Sequence, residues 1–386
     1  MSGHQAGFWH AGILAKRFAL QAVAEASGAA PAWLVVDHDT NDAGAIRYPV
    51  MAEGGRIGER TLRIAPKTGA PTGLIPSAAR PEAPNESTES FVRSGLGAII
   101  NALRPAESLA AQIHMATERL IDEAPVTSVF SSKLAKTDLF GSIVEHVRAD
   151  PERCRASFNE AVTGTSVARL SASELPFWDL SGQVRRRLRD EHLTALDVER
   201  LAPTAILQTM LLRAAGCDLF IHGTGAVGTE TEEGYENATT RWRDLWSPPL
   251  PDLAPIAVST ATLTLPLGGG EGVPSERELA HLTWRAHHIR HTPADEELKR
   301  SLLSEIEAAP RQSRRRYELF LSLHEMLKNY RTGAAAEIRT ATSEAENARL
   351  RRLDATLIDD RTWPFPLHPR ERLLKLRDSI RGCFGL

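Results

Sequence analysis

The chain has 386 residues, a formal net charge of −3 from nearly balanced acids and bases, and three cysteines. That length suits one large α/β unit plus a second element, and the charge balance leaves no global field to draw the protein onto nucleic acid or an anionic membrane. Cys154, Cys217 and Cys383 lack CxxC or Cys/His spacing, which argues against a zinc ribbon and a secreted disulfide framework. No run reaches the roughly 18 apolar residues of a membrane span, and polar Gly3, His4 and Gln5 stand where a signal peptide carries its charged and apolar regions, so a cytoplasmic protein is expected.

Residues 11–26 place Ile13, Leu14, Phe18 and Val23 at helical spacing, with Gly28 as a stop. Ala32 to Val36 is a continuous apolar run, as in a buried parallel strand, broken by Asp37-His38-Asp39. Residues 51–86, rich in Gly, Pro, Ala and Ser, read as an irregular excursion with one strand at Thr61–Ile64. Helices follow over Ser90–Asp122, the second starting at Pro105, then a strand at Val126–Ser131 and helices within 138–163. Pro176 makes Glu174–Trp178 an edge strand, because proline cannot donate to a ladder. A helix at Ala202–Ala215, a strand at Asp218–His222, a helix at Tyr235–Trp246 and a long strand at Pro255–Leu265 complete a strand-helix alternation that favours a largely parallel sheet.

The expected fold class is therefore α/β, a Rossmann-like parallel-sheet core over residues 1–270. After Gly268-Gly269-Gly270 the composition turns rich in Arg, Glu, Ala and Leu, and 271–358 reads as a helical coiled-coil arm. Residues 359–386, with Trp363 and Phe365 among prolines, are expected to pack back on the core and end in a helix at Glu371–Ile380.

Two segments carry the strongest chemical signal. Gly3-His4-Gln5-Ala6-Gly7-Phe8-Trp9-His10 concentrates glycine and histidine before a helix, where backbone N–H groups favour a phosphate and His4 and His10 supply donors for developing charge. The plainer alternative is a glycine-rich tail with surface histidines. Asp37 and Asp39 point to one side of an extended chain and His38 to the other. They suit a substrate ammonium held between carboxylates, with His38 as base, better than a metal; the alternative is an ordinary Asp-rich turn.

Other motifs weigh less. Gly223 to Gly228 matches GxGxxG. Yet Glu230, Glu232 and Glu233 follow where they repel a pyrophosphate, and no acid ends the next strand, which argues against a nicotinamide cofactor. With His222 at the strand end, Gly223 and Gly225 either line a pocket or make a tight turn. His287 and His291 at i, i+4, with His281 and His288 nearby, read as a solvated helix face. Arg185-Arg186-Arg187 and Arg314-Arg315-Arg316 read as solvated faces or local anion contacts.

GHQAGFWHAGILAKRFALQAV followed by an apolar strand and DHD resembles the TGQQAG…K and EDHD segments of the bacillithiol-biosynthesis cysteine-adding enzyme family. CDLFIHGTGAVG, PIAVSTATLTL, the helical arm and the aromatic-proline segment fall in that family's order. The resemblance implies a nucleotidyltransferase-like core, a coiled-coil arm that forms a homodimer, and ligation of cysteine to an amino-sugar conjugate. It places His4 and Gln5 at the family's QQ, and Asp37, His38 and Asp39 at its DHD. The cofactor is left open, with ATP or another adenine nucleotide as candidate; no metal, nucleic acid or membrane is implied. A catalytically inactive relative that binds a small molecule or a partner is the alternative. In that architecture the Gly/His motif follows the first core strand, so a missing central strand and an upstream translation start are also expected.

Overall fold

The computed structural model describes the chain apart from residues 53–55, 229–232, 247–249, 269–271 and 294–295. Gly269 and Gly270 lie outside the described residues. The fold is α/β. A five-stranded, fully parallel sheet has the order β10-β9-β1-β2-β5, built from β1 (Ser2–Gln5), β2 (Ala32–Val36), β5 (Thr127–Phe130), β9 (Phe220–His222) and β10 (Ile256–Val258).

The central strand is present after all, because Ser2–Gln5 form it: His4 lies beside Val35 and Gln5 beside Val36. Gly3 is the residue that lets β1 and β2 meet here, since a Cβ on it would fall 2.5 Å from Leu34 Cβ and 2.6 Å from the Leu34 carbonyl oxygen. From β1 the chain passes through α1 (Ala11–Ser27) to β2 and β5, and later returns to the other side of β1 at β9 and β10. The strand order thus reverses between β1 and β9, and open α/β sheets bind ligands at the carboxyl end of such a reversal.

Several elements differ from expectation. Residues 51–86 contribute β4 (Arg56–Arg63), which pairs with an unforeseen β3 (Ala45–Ala52) in a separate two-stranded sheet. β6 (Glu174–Asp179) is not an edge strand but the centre of a second sheet, between β7 (Arg186–Arg189) and β8 (Leu201–Pro203), antiparallel to both. Its proline is tolerated because the β6–β7 register shifts between Glu174 and Trp178, and on the other side Pro176 needs only its carbonyl, which accepts from Thr204 N at 3.1 Å. The long strand expected over 255–265 pairs only at Ile256–Val258.

α2 (Ser90–Ala102), α3 (Leu109–Leu120), α4 (Asp138–Ala149), α5 (Pro151–Ala161), α6 (Asp190–Leu193), α7 (Ala205–Ala215) and α8 (Tyr235–Leu245) surround the sheets. Phe140, Phe158, Phe177, Leu207, Met210 and Trp242 make one core among α4, α5, β6, α7 and α8. In the closing segment Trp363, Phe365 and Leu367 are buried, Phe365 N donates to Trp9 O, and α13 (Arg370–Gly382) packs on α1.

The chain divides into two compact units, one of residues 1–55, 59–265 and 360–386, the other of 56–58 and 266–359. The second consists mainly of α9 (Glu276–His288), α10 (Glu296–Ala308), α11 (Arg314–Gly333) and α12 (Ala335–Ile358). α9 packs on α12 and α10 on α11, and Ile306, Leu323, Ala341 and Ala348 are among its buried residues. Ser275 and Glu278 form a capping box at the start of α9. His281, His287, His288 and His291 are exposed on it or just beyond it.

Candidate functional site

The two polar segments meet. Gln5 ends β1 and Asp39 follows β2, and Gln5 Nε2 donates to Asp39 Oδ2 at 3.0 Å. Adjacent parallel strands ending at the same level bring this about, so the convergence follows from the β1–β2 register.

Asp37, His38 and Asp39 then divide sharply. Asp37 is buried, and its carboxylate is spent inside the protein: Oδ1 accepts from Ser131 Oγ and Ser132 N, both at 2.8 Å, and Oδ2 from Ser132 Oγ at 2.6 Å. Its main-chain oxygen accepts from Gly73 N and Thr72 Oγ1. Asp37 therefore fastens the end of β2 to the turn after β5 and to residues 72–73, rather than reaching for a ligand.

His38 is 3% exposed, and its Nδ1 lies 2.6 Å from Ser131 Oγ. That hydroxyl has one proton, which Asp37 Oδ1 takes, so Nδ1 is the protonated nitrogen and donates to Ser131. Nε2 is left as a bare lone pair, with no hydrogen-bond partner among the described residues. Burial pushes the imidazole's pKa down to about 4 against the pull of Asp37, so it is a neutral base at physiological pH.

Asp39 is more open. Oδ1 accepts from Thr40 N and pairs with Arg185 Nη1 at 2.9 Å. Burial pushes its pKa up, but Gln5, Thr40 and Arg185 outweigh burial and hold it below the usual value. The Arg185 guanidinium lies 4.2 Å from the Trp178 ring centroid, and Arg187 sits at the same distance. Arg185 is a site residue missed by reading its triplet as solvated face or anion contact. The alternation of Arg185, just before β7, and Arg187 on it, beside Trp178, is the signal that finds it.

On the β1 side, burial, helped by Lys16 and His10, pushes the His4 pKa down to about 3, so His4 is neutral. His10 caps α1, with Nδ1 accepting from Gly12 N at 3.1 Å, which leaves Nε2–H as its outward donor. Lys16 was not foreseen: it is buried, donates to Gly3 O at 2.7 Å, and is pushed down to about 8 by burial. A Cβ on Gly223 would lie 3.9 Å from Lys16 Cδ, so the start of the glycine loop reaches the same reversal point.

His222, by contrast, is closed in. It is 4% exposed, with Nδ1 3.0 Å from Tyr235 Oη and Nε2 2.6 Å from Glu236 Oε1, close but poorly aligned for a hydrogen bond. Glu236 in turn pairs with buried Arg213, so His222 belongs to a buried network and not to an open pocket. The loop after it makes a short 3-10 turn at Thr224–Ala226, and α8 begins only at Tyr235, whereas a dinucleotide fingerprint needs its glycines to open a helix directly. A Cβ on Gly225 would meet nothing within 4 Å, so that glycine keeps no contact close. Glu230 and Glu232 lie outside the described residues.

Among the described residues no group of three or more His, Cys, Asp or Glu side chains is placed to share a metal ion, and no helix is long and apolar enough to cross a membrane. No protein-family model matches the chain, and no curated protein matches it significantly.

Proposed function

We propose that the protein is a carbon–nitrogen ligase-like enzyme that joins an amino-acid carboxylate to the amine of an amino-sugar-type acceptor, as the resemblance to the cysteine-adding enzyme of bacillithiol biosynthesis implies. The observation that carries the reading is the meeting of Gln5 and Asp39 beside the sheet's reversal point, next to a neutral imidazole with a free lone pair. Asp39 keeps acceptor capacity on Oδ2 for the amine, and His38 Nε2 takes the amine's proton as the carbon–nitrogen bond forms and the activating group leaves. His10 Nε2–H, His4 and Gln5 orient the carboxyl oxygens. Arg185 supplies the nearby positive charge. In this reading the protein works in the cytoplasm as a homodimer through its helical unit, and an adenine nucleotide is the activating group.

One observation favours a second reading, a small-molecule-binding relative without catalysis. Asp37 is spent on Ser131 and Ser132, and Asp39 is already paired with Arg185, so neither carboxylate stands bare. The test incubates the full-length protein with ATP, cysteine and a glucosamine-containing acceptor and follows amide formation by mass spectrometry. The ligase reading expects product, lost in His38→Ala and Asp39→Asn. Binding of cysteine or acceptor without product selects the second reading, and no binding of either rejects both.

A further inference from the structure

A cavity of about 170 Å3 lies in the first unit, walled mainly by apolar side chains that include Leu14 and Phe18 of α1, Ile121, Phe365 and Leu373. No residue of the site described above lines it. Of the polar residues that line it, Asp122, His368, Arg370 and Arg377, His368 is the buried one. His368 faces the cavity and is 4% exposed. Its imidazole approaches the main chain of Trp363, yet its ring lacks well-formed hydrogen bonds, so at least one nitrogen is unmatched. A buried polar atom left unmatched is costly, and each such atom in a folded protein calls for a cause.

The chemistry of the rim narrows the cause. Arg370 already holds Asp122 at 2.8 Å, and Arg377 holds Asp378 at the same distance, so the cavity does not want an ionic head group. Burial pushes the His368 pKa down to about 4, which makes it a neutral donor or acceptor and not a cation. Apolar cavities of about 150 Å3 accept benzene.

We propose that this cavity binds an uncharged, phenol-sized molecule, an apolar ring or short chain bearing one hydroxyl, with the hydroxyl on the His368 imidazole. A hydroxyl both donates and accepts, so it satisfies the ring in either tautomer. The site is independent of the proposed ligase chemistry.

The experiment titrates the full-length protein with phenol and with benzene, read by calorimetry and thermal shift. Phenol binds about tenfold more tightly than benzene, the difference one hydrogen bond makes. In His368→Leu that preference falls to about onefold. Ala98→Trp, a substitution on the α2 wall of the cavity, removes binding of both while circular dichroism keeps the parent signal. Failure of the parent protein to bind phenol, equal affinity for the two probes, or phenol binding retained in Ala98→Trp each overturns the proposal. If His368→Leu does not fold, the phenol-to-benzene ratio in the parent and the Ala98→Trp result decide it.

Discussion

Asp37→Ala tests whether this carboxylate is a fastening rather than a ligand. The substitution strips the acceptor from Ser131 Oγ, Ser132 N and Ser132 Oγ in a buried setting. Hydrogen bonds to a charged group contribute about 1.5–3 kcal/mol each, so simple addition gives about 4.5–9 kcal/mol. That sum is too large, because the three bonds share one carboxylate whose desolvation cost disappears with it. A net loss of about 3–5 kcal/mol remains, the usual cost of removing one partner from a buried charged network. Asp37→Asn is the control. Its Oδ1 still accepts from Ser131 and Ser132 N, and its Nδ2 donates to Ser132 Oγ, so the loss shrinks to about 1–2 kcal/mol. Urea unfolding followed by circular dichroism, with unchanged slopes, reads both. An Asp37→Ala protein within about 1 kcal/mol of the parent refutes the fastening role.

Gly95→Ala sets a Cβ 2.1 Å from the Pro366 carbonyl oxygen, a backbone atom that cannot swing aside. The closing segment then lifts from α2, costing about 1–3 kcal/mol, and hydrogen exchange at Phe365 and Leu367 rises; unchanged protection there contradicts the packing argument. pH dependence follows from His38, His114 and His368, each pushed down to about 4 mainly by burial, and His4, down to about 3. Their folded values lie below the unfolded value of about 6.5, so the unfolded chain binds more protons as pH falls. Their contribution is complete above about 6.5 and is lost towards pH 4, at up to about 1.4 kcal/mol per pH unit for each histidine. A stability curve flat from pH 6.5 to 4.5 contradicts this. Arg185→Ala removes a half-buried cation from Asp39 and Trp178. It is expected to change stability by less than about 1 kcal/mol while weakening ligand binding at the site about tenfold or more; undiminished binding removes Arg185 from the site.

The sequence shows the sheet where a segment's neighbours in the chain are enough to define it. Trp33 to Val36 is apolar without a break and stops at Asp37, so the strand and the polar edge after it are both legible. The same local logic misplaces Gly3-His4-Gln5. A glycine beside a histidine reads as a turn, yet Gly3 is there because β2 leaves no room for a Cβ, and that reason lies 31 residues away in the chain, at Leu34. β3 hides because Arg47 and Pro49 break its apolar pattern, and β6 looks like an edge because nothing local announces the register shift that excuses Pro176. The site divides in the same way. Gln5, His38 and Asp39 are visible as residue types at strand ends, whereas Ser131, Ser132 and Arg185 join them only through contacts across about 90 to 150 residues, a distance over which periodicity carries no information.

Ser131 links the fastening to the chemistry, and that link is open to measurement. Its single hydroxyl donates to Asp37 and receives His38 Nδ1–H, so the residue that locks the end of β2 also selects which imidazole nitrogen stays bare. Ser131→Ala leaves the Asp37 carboxylate held by Ser132 alone and removes the acceptor of Asp37 N and the partner of His38 Nδ1. The expected loss of stability is about 1–3 kcal/mol, smaller than that of Asp37→Ala, because two of the three carboxylate bonds survive. The diagnostic change is in the imidazole: nitrogen NMR of the parent reports His38 as the Nδ1–H form, and the variant shows a mixture of tautomers. A parent protein with Nε2–H has no free lone pair at that nitrogen, and His38 then cannot accept the proton the proposed reaction gives it. A variant that keeps pure Nδ1–H shows instead that the tautomer is set by something other than this serine.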